Sequence, residues 1–369
     1  MRASYRFLLA LLGLTACLAL PAQADARQSR KKAIWGPVTV QGKSQFPIYH
    51  DLGAGIWEYT VRWFRVAPTR PRNPRDPTDP AYHWPAEVDF ALREAHRYGI
   101  RVSLLLTGAP RWANGNHTRR WAPRHPGDFA DFAEAAARRW PGVRHWMIWG
   151  EPTRRRNFLP LAHERRGHPL TRSQSRGPRL YARILDASYG RLKRLDRHNV
   201  VIGGNTFTTG DVSPLNFIRA MRLPNGRRPR MDLYGHNPFT ARRPRLSRPP
   251  LGSGFADFSD LDQLAHWVDR YLGRRGGSRH GRRIGLFLSE FFLPTDHPNH
   301  EFNFWVSRRI QASWLNSALR IDRRWSRIYT LGWLGLYDDA PRPKGDEVNR
   351  GLIDQKGRKK PAYLVFKRG

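Results

Sequence analysis

Two glutamates stand at the tips of apolar runs. Residues 144–153 read RHWMIWGEPT, an aromatic segment that delivers Glu151 and is then stopped by Pro152. Residues 283–292 read RIGLFLSEFF and deliver Glu290 in the same way. A single acid at a strand end is most often an ion-pair partner. Two acids carried to one pocket can do more: one protonates a leaving oxygen while the other attacks or activates water, the requirement for breaking a glycosidic bond. Other chemistries lack their residues. There is no HExxH, GxxxxGK[ST], GxSxG or EF-hand loop. His163 and His168 lack metal-ligand spacing, and the one cysteine, Cys17, excludes a cysteine zinc site or a thiol nucleophile in a processed chain. No metal and no cofactor is expected.

The elements that must position the two acids alternate in type. β-rich runs are predicted over 33–40, 56–66, 101–106, 144–149, 200–203, 231–234, 284–288 and 329–334. Between them fall helical patterns. Val88, Ala91, Leu92 and Ala95 share one helix face, as do Phe129, Phe132, Ala133 and Ala136 behind a capping Asp128. Further helices are predicted over 179–195, 215–221, 260–272 and 302–319. Eight strands alternating with helices predict an α/β fold, a single (β/α)8 barrel over residues 25–369 with no second domain. In such a barrel the C-terminal strand ends open into one pocket, which places Glu151 after the fourth strand and Glu290 after the seventh in a common cleft.

The charge is extreme: 65 basic against 30 acidic residues give +35, and only nine of the 65 are lysine. Such an excess suits polyanions, and an anionic glycan or a cell-envelope polymer is open as a partner. The arginines are scattered through nearly every segment, so biased composition explains them as well, and no specific nucleic-acid partner is expected. The first 24 residues read as a signal peptide: Arg2 and Arg6, an apolar stretch over 7–20, and the small-x-small Ala22-Gln23-Ala24. Secretion or a cell-envelope location follows, with lipid attachment at Cys17 in a lipobox-like LTAC as the alternative. The apolar stretch is too short for a comfortable transmembrane span.

Between Ala33 and the end, the chain resembles the clan A glycoside hydrolases, retaining (β/α)8 enzymes, nearest in style to families 39 and 5. The resemblance implies an exported retaining glycosidase acting on a poly- or oligosaccharide by double displacement. Glu151 in WGEP matches the acid/base and Glu290 in LFLSEF the nucleophile. Arg62 in VRWFR matches an arginine beside the nucleophile. Tyr234, His236 and Asn237 in YGHNPF match polar groups of strand six, and Trp333 in LGWLGLYD matches the tryptophan floor of a sugar site. Gly150 departs from the clan, which usually has asparagine there to touch the sugar 2-hydroxyl; Asn205 in GGNT is the candidate to replace it. Trp112 is either a sugar platform or a packing residue. The expected environments are a Glu151 shielded by Trp146, Trp149 and other aromatics, so that it is protonated when it acts, and a Glu290 kept ionised by Arg62 and hydrogen bonds. A noncatalytic glycan-binding barrel and a basic polyanion-binding envelope protein are the alternatives.

Overall fold

The structure, a computed structural model, describes residues 29–369 other than 247 and 279; the signal-peptide reading and Cys17 lie outside the described residues. Eight parallel strands close into a barrel: β1 (Ser29–Trp35), β2 (Ala54–Arg62), β3 (Arg101–Thr107), β4 (His145–Ile148), β5 (Val200–Phe207), β6 (Leu233–Asn237), β7 (Gly285–Phe291) and β8 (Ile328–Leu334). Closure comes from β1 pairing with β8, Lys32 opposite Leu331 and Ala33 opposite Gly332. A helix follows each strand: α1 (Phe46–Asp51), α2 (Ala86–Arg97), α3 (Pro126–Arg139), α4 (Arg176–Leu195), α5 (Pro214–Ala220), α6 (Leu261–Tyr271), α7 (Arg308–Arg324) and α8 (Pro361–Arg368). This is the expected (β/α)8 barrel. Among the described residues no helix is long and apolar enough to cross a membrane.

Local chemistry explains where the elements stop. The first strand ends at Trp35 rather than Val40, because Gly36 and Pro37 follow. The second ends at Arg62, and Trp63–Val66 makes a helical turn instead of continuing the sheet. α7 begins at Arg308 rather than Phe302, because the Ser307 hydroxyl caps it by accepting from Ile310 N. Asp128 lies in the first turn of α3, where it favours the helix dipole, but the cap position belongs to His125. The short helices α1 and α8 have no counterpart among the sequence-predicted elements.

Two apolar layers fill the molecule. Inside the barrel, Ala33, Ile56, Leu105, Met147, Ile202, Leu233 and Phe287 form a ring with one residue from each of the first seven strands, and Tyr329 packs against it from β8. The other strand faces meet the helices through a much larger cluster that includes Trp57, Trp146, Trp149, Tyr181, Phe291 and Trp333. Polar ties lock the layers at both ends. At the N-terminal end the buried Lys32 ammonium donates to Leu52 O at 2.9 Å and to Phe366 O at 2.7 Å, joining β1 to α8. At the other end buried Lys360 donates to Asp338 at 2.6 Å and to Thr295 at 3.0 Å, tying the loops after β7 and β8 together.

One interior position admits no side chain. A Cβ on Gly332 of β8 would overlap the carbonyl oxygen of Ser289 and lie 2.5 Å from Glu58 Oε1. The first clash is with backbone, so rotamer adjustment cannot relieve it. Gly332→Ala is expected to cost about 3 kcal/mol, the upper range for over-packing, measured by denaturant unfolding. A stability change below about 0.5 kcal/mol would show that β8 can shift.

Candidate active site

The tip of β4 carries Glu151 on a contorted backbone. Trp149 and Glu151 both have positive φ, 63° and 44°. Such conformations persist only where neighbours enforce them. Here Tyr181 OH donates to Ile148 O at 2.8 Å, Asn205 Nδ2 donates to Trp149 O at 2.8 Å, and Trp149 Nε1 donates to Asn157 O at 3.0 Å. Trp149 packs edge-on against Phe158 and tilted against Phe129, so its ring anchors the turn from the helix side. The bracket turns the Glu151 side chain into the cleft.

Glu151 and Glu290 line one cavity of about 250 Å³ at the C-terminal mouth of the barrel, with Arg62, Thr107, Arg119, Arg120, Gly150, Arg156 and Asn157 among its walls. Glu151 is nearly buried and fully partnered. Arg154 Nη1 and Asn157 Nδ2 each donate to its Oε2 at 2.9 Å, and Asn237 Nδ2 donates to its Oε1 at 3.1 Å. The Arg154 guanidinium also lies 4.3 Å from the centre of the Phe207 ring. Beyond Arg154 opens a second cavity of about 540 Å³, walled by Phe207, Phe239, Phe292 and Phe302.

Glu290 is different. Burial, and then the like charge of Glu151, raise its pKa from the ordinary 4.5 to about 8, against the smaller pull of Arg350 and Arg154. The expectation that Arg62 keeps Glu290 ionised is therefore corrected. Arg62 is exposed at the end of β2, lines the cleft, and pairs with no carboxylate among the described residues. Below Glu290, the interior-facing Glu58 accepts from Ser289 Oγ at 2.8 Å, and its Oε1 is buried without a partner. Burial pushes the Glu58 carboxyl well above the usual range, helped by the Glu290 charge. Sequence reasoning missed it. The signal was there: Glu58 has the parity of the interior-facing Ile56.

Three sequence-derived binding residues are turned away from the cleft. His236 is fully buried and satisfied, its Nδ1 2.8 Å from Thr206 Oγ1 and its Nε2 2.9 Å from Ala256 O. Burial lowers its pKa to about 4, so it is a neutral core imidazole. Asn237, its neighbour on the opposite strand face, reaches Glu151 instead. Asn205 spends its amide nitrogen on the β4 tip, and its buried Oδ1 sits where any Cβ on Gly235 would overlap it. It does not replace the amide missing at Gly150. Trp333 is 1% exposed and packs edge-on against Phe291 with centroids 5.9 Å apart, in the layer facing the helices. It floors no cleft. Trp112 packs edge-on against Trp63 and donates to Ala67 O at 2.9 Å, a packing role.

Comparison with known proteins adds fold and no more. No protein-family model and no curated protein sequence matches the chain. Among solved structures it is similar to a family 39 glycoside hydrolase from the gut symbiont Bacteroides cellulosilyticus WH2, with a TM-score of 0.67 and 15% identity over 93% of this chain and 64% of that one. A monomeric beta-xylosidase from Caulobacter crescentus CB15 superposes with a TM-score of 0.60 and 13% identity over 92% of this chain and 67% of that one. A glucosidase from Croceicoccus marinus does so with 0.58 and 15% identity over 93% and 67%. The chain thus spans about two thirds of the length of these neighbours and shares the (β/α)8 fold of family 39 glycoside hydrolases, a clan A family.

The coupling of the two acids can be read directly. Glu290 keeps its proton in the folded state between about pH 4.5 and 8, where the unfolded chain has lost it. Its contribution to stability is therefore full below pH 4.5 and is lost as pH rises through 8. In Glu290→Gln the decline in unfolding free energy across that window is expected to shrink. Glu151→Gln removes the like charge, so the Glu290 carboxyl, followed by carbon-13 NMR, is expected to titrate at lower pH. An unchanged midpoint would mean that burial alone sets it.

Proposed function

We propose that the protein is a retaining glycoside hydrolase that cleaves O-glycosidic bonds of a poly- or oligosaccharide through Glu290 and Glu151. One observation carries the reading: glutamates from the ends of β4 and β7 line a single cavity at the barrel mouth. Glu290 is the nucleophile, attacking the anomeric carbon and forming a glycosyl ester. Glu151 protonates the departing oxygen and then takes the proton from the water that releases the sugar. The first step needs Glu290 ionised and Glu151 protonated. The cleft without sugar has a proton favoured on Glu290 and Arg154 paired to Glu151, so the proton and Arg154 must redistribute when substrate binds. Arg154 is placed for this, because its charge also acts on Glu290.

The same proposal includes export, supported by the leader-like residues 1–24. Exported material is expected to begin near Asp25; a lipid-modified Cys17 at the terminus would replace this with a lipoprotein. Gly150 favours a second reading, a glycan-binding barrel without turnover, because neither Asn205 nor any side chain at position 150 offers the sugar a free amide.

Variants separate the two. Glu290→Ala is expected to abolish turnover of every glycoside, a loss of at least about 10⁴-fold in kcat. Glu151→Ala is expected to keep the first step on aryl glycosides with good leaving groups, slow the second, and recover with azide, a nucleophile that needs no deprotonation. Wild type that binds glycans but hydrolyses nothing in a broad panel would leave the noncatalytic barrel.

A further inference from the structure

The cavity lined by the two glutamates is also lined by four arginines. Arg62 at the end of β2, Arg119 and Arg120 after β3, and Arg156 after β4 all line it. Among the described residues none of the four pairs with a carboxylate. An arginine-rich surface alone does not account for this. Other arginines around the barrel mouth are paired: Arg242 with Asp257 and Asp260, Arg308 with Asp296 and Asp354, and Arg350 with Asp339. Among the described residues the only acids in the cavity wall are Glu151, already bound by Arg154, and Glu290, on which a proton is favoured.

The loops that carry three of the four are tied to one another. Arg119 lies over the Phe64 ring at 5.5 Å. Leu159 N donates to Arg120 O at 2.8 Å, and Ala122 N donates to Leu159 O at 2.7 Å, which binds the Arg119–Arg120 loop to the loop bearing Arg156. Across those same loops lies a further cavity of about 750 Å³, where His117 stacks on Trp121 at 4.4 Å beside Arg124, Arg176 and Arg179. Uncompensated cations in a cleft focus the field and concentrate anions. Guanidinium forks match the paired oxygens of carboxylate and sulfate.

We propose that the cleft takes an acidic glycan, with uronate carboxylates or sulfate groups held by Arg62, Arg119, Arg120 and Arg156. The second basic cavity receives further units of the same chain. Its cleavage rests on the glycosidase reading, but its binding does not, and the two are tested apart. Titration calorimetry on full-length Glu290→Gln at about 0.15 M salt would compare galacturonate hexamer, chondroitin sulfate hexamer and neutral xylohexaose. At least one acidic hexamer is expected to bind about tenfold more tightly than xylohexaose, and to weaken steeply with added salt. Galacturonate first assigns a carboxylate and chondroitin sulfate first assigns a sulfate; either order supports the proposal. Adding Arg119→Gln, Arg120→Gln and Arg156→Gln is expected to bring the ratio to about one. Adding Arg309→Gln, Arg320→Gln and Arg324→Gln, which takes the same charge from α7, is expected to keep it. Thermal unfolding checks that both sets fold, and the salt dependence needs neither. A ratio of about one before the arginine changes overturns the proposal, as does equal loss in both triple variants. Wild type that hydrolyses only neutral glycosides overturns it while sparing the glycosidase reading. Tight acidic binding with no hydrolysis of any substrate upholds it and removes that reading.

Discussion

Like charges facing one small cavity repel, and the barrel mouth is organised around that repulsion between Glu151 and Glu290. In a partly dry cleft such a repulsion is stronger than it would be in water. The structure resolves it unequally. Glu151 is given Arg154, Asn157 and Asn237, whereas Glu290, half-buried in the cavity wall, is given no hydrogen bond among the described residues. The acid with the partners is also the one on the strained backbone. Two positive-φ residues cost on the order of 1–3 kcal/mol each, and the clasp formed by Tyr181, Asn205 and Asn157 must hold them. A loose β4 tip would let Glu151 swing away from the cavity and remove the repulsion by removing the pair.

Much of this was legible in the sequence, and the rest was lost at particular irregularities. All eight strands show as apolar runs, because strands covered on both faces need little polar alternation. Glu151 and Glu290 stand out against those runs for the same reason. Counting by twos from Leu233 would have put Asn237 inside and His236 outside, as found. On β8 that count fails, since the register slips between Ile328 and Thr330, after the interior-facing Tyr329, and Leu331 joins the helix side. Gly332 faces the interior and Trp333 is sent to the helix side. β5 slips likewise between Gly203 and Thr206, which turns Asn205 onto the β4 backbone. A one-residue slip exchanges faces, and nothing in residue type announces it.

Composition alone could not say which of the 56 arginines matter, since they are spread along the whole chain. The fold sorts them. Some meet aspartates in the loops around the mouth, some lie over tyrosine rings on the outer surface, and a few converge on the cleft from strands two, three and four. Residues far apart in sequence acquire a shared electrostatic field only after the barrel closes.

Closure itself has a temporal consequence. The Lys32 ammonium sits near the start of the first barrel strand, yet its oxygen ligands include Phe366 and Lys367 in the final helix. Until residues 328–334 have been made β1 lacks its β8 neighbour, and until Phe366 and Lys367 follow, the buried ammonium has Leu52 O alone of its three carbonyl acceptors. Loop closure over about three hundred residues is slow, and a partial barrel exposes two open sheet edges. The nascent chain therefore lacks this latch until Phe366 and Lys367 have emerged, a long interval in which a holdase can engage it before folding shuts the door.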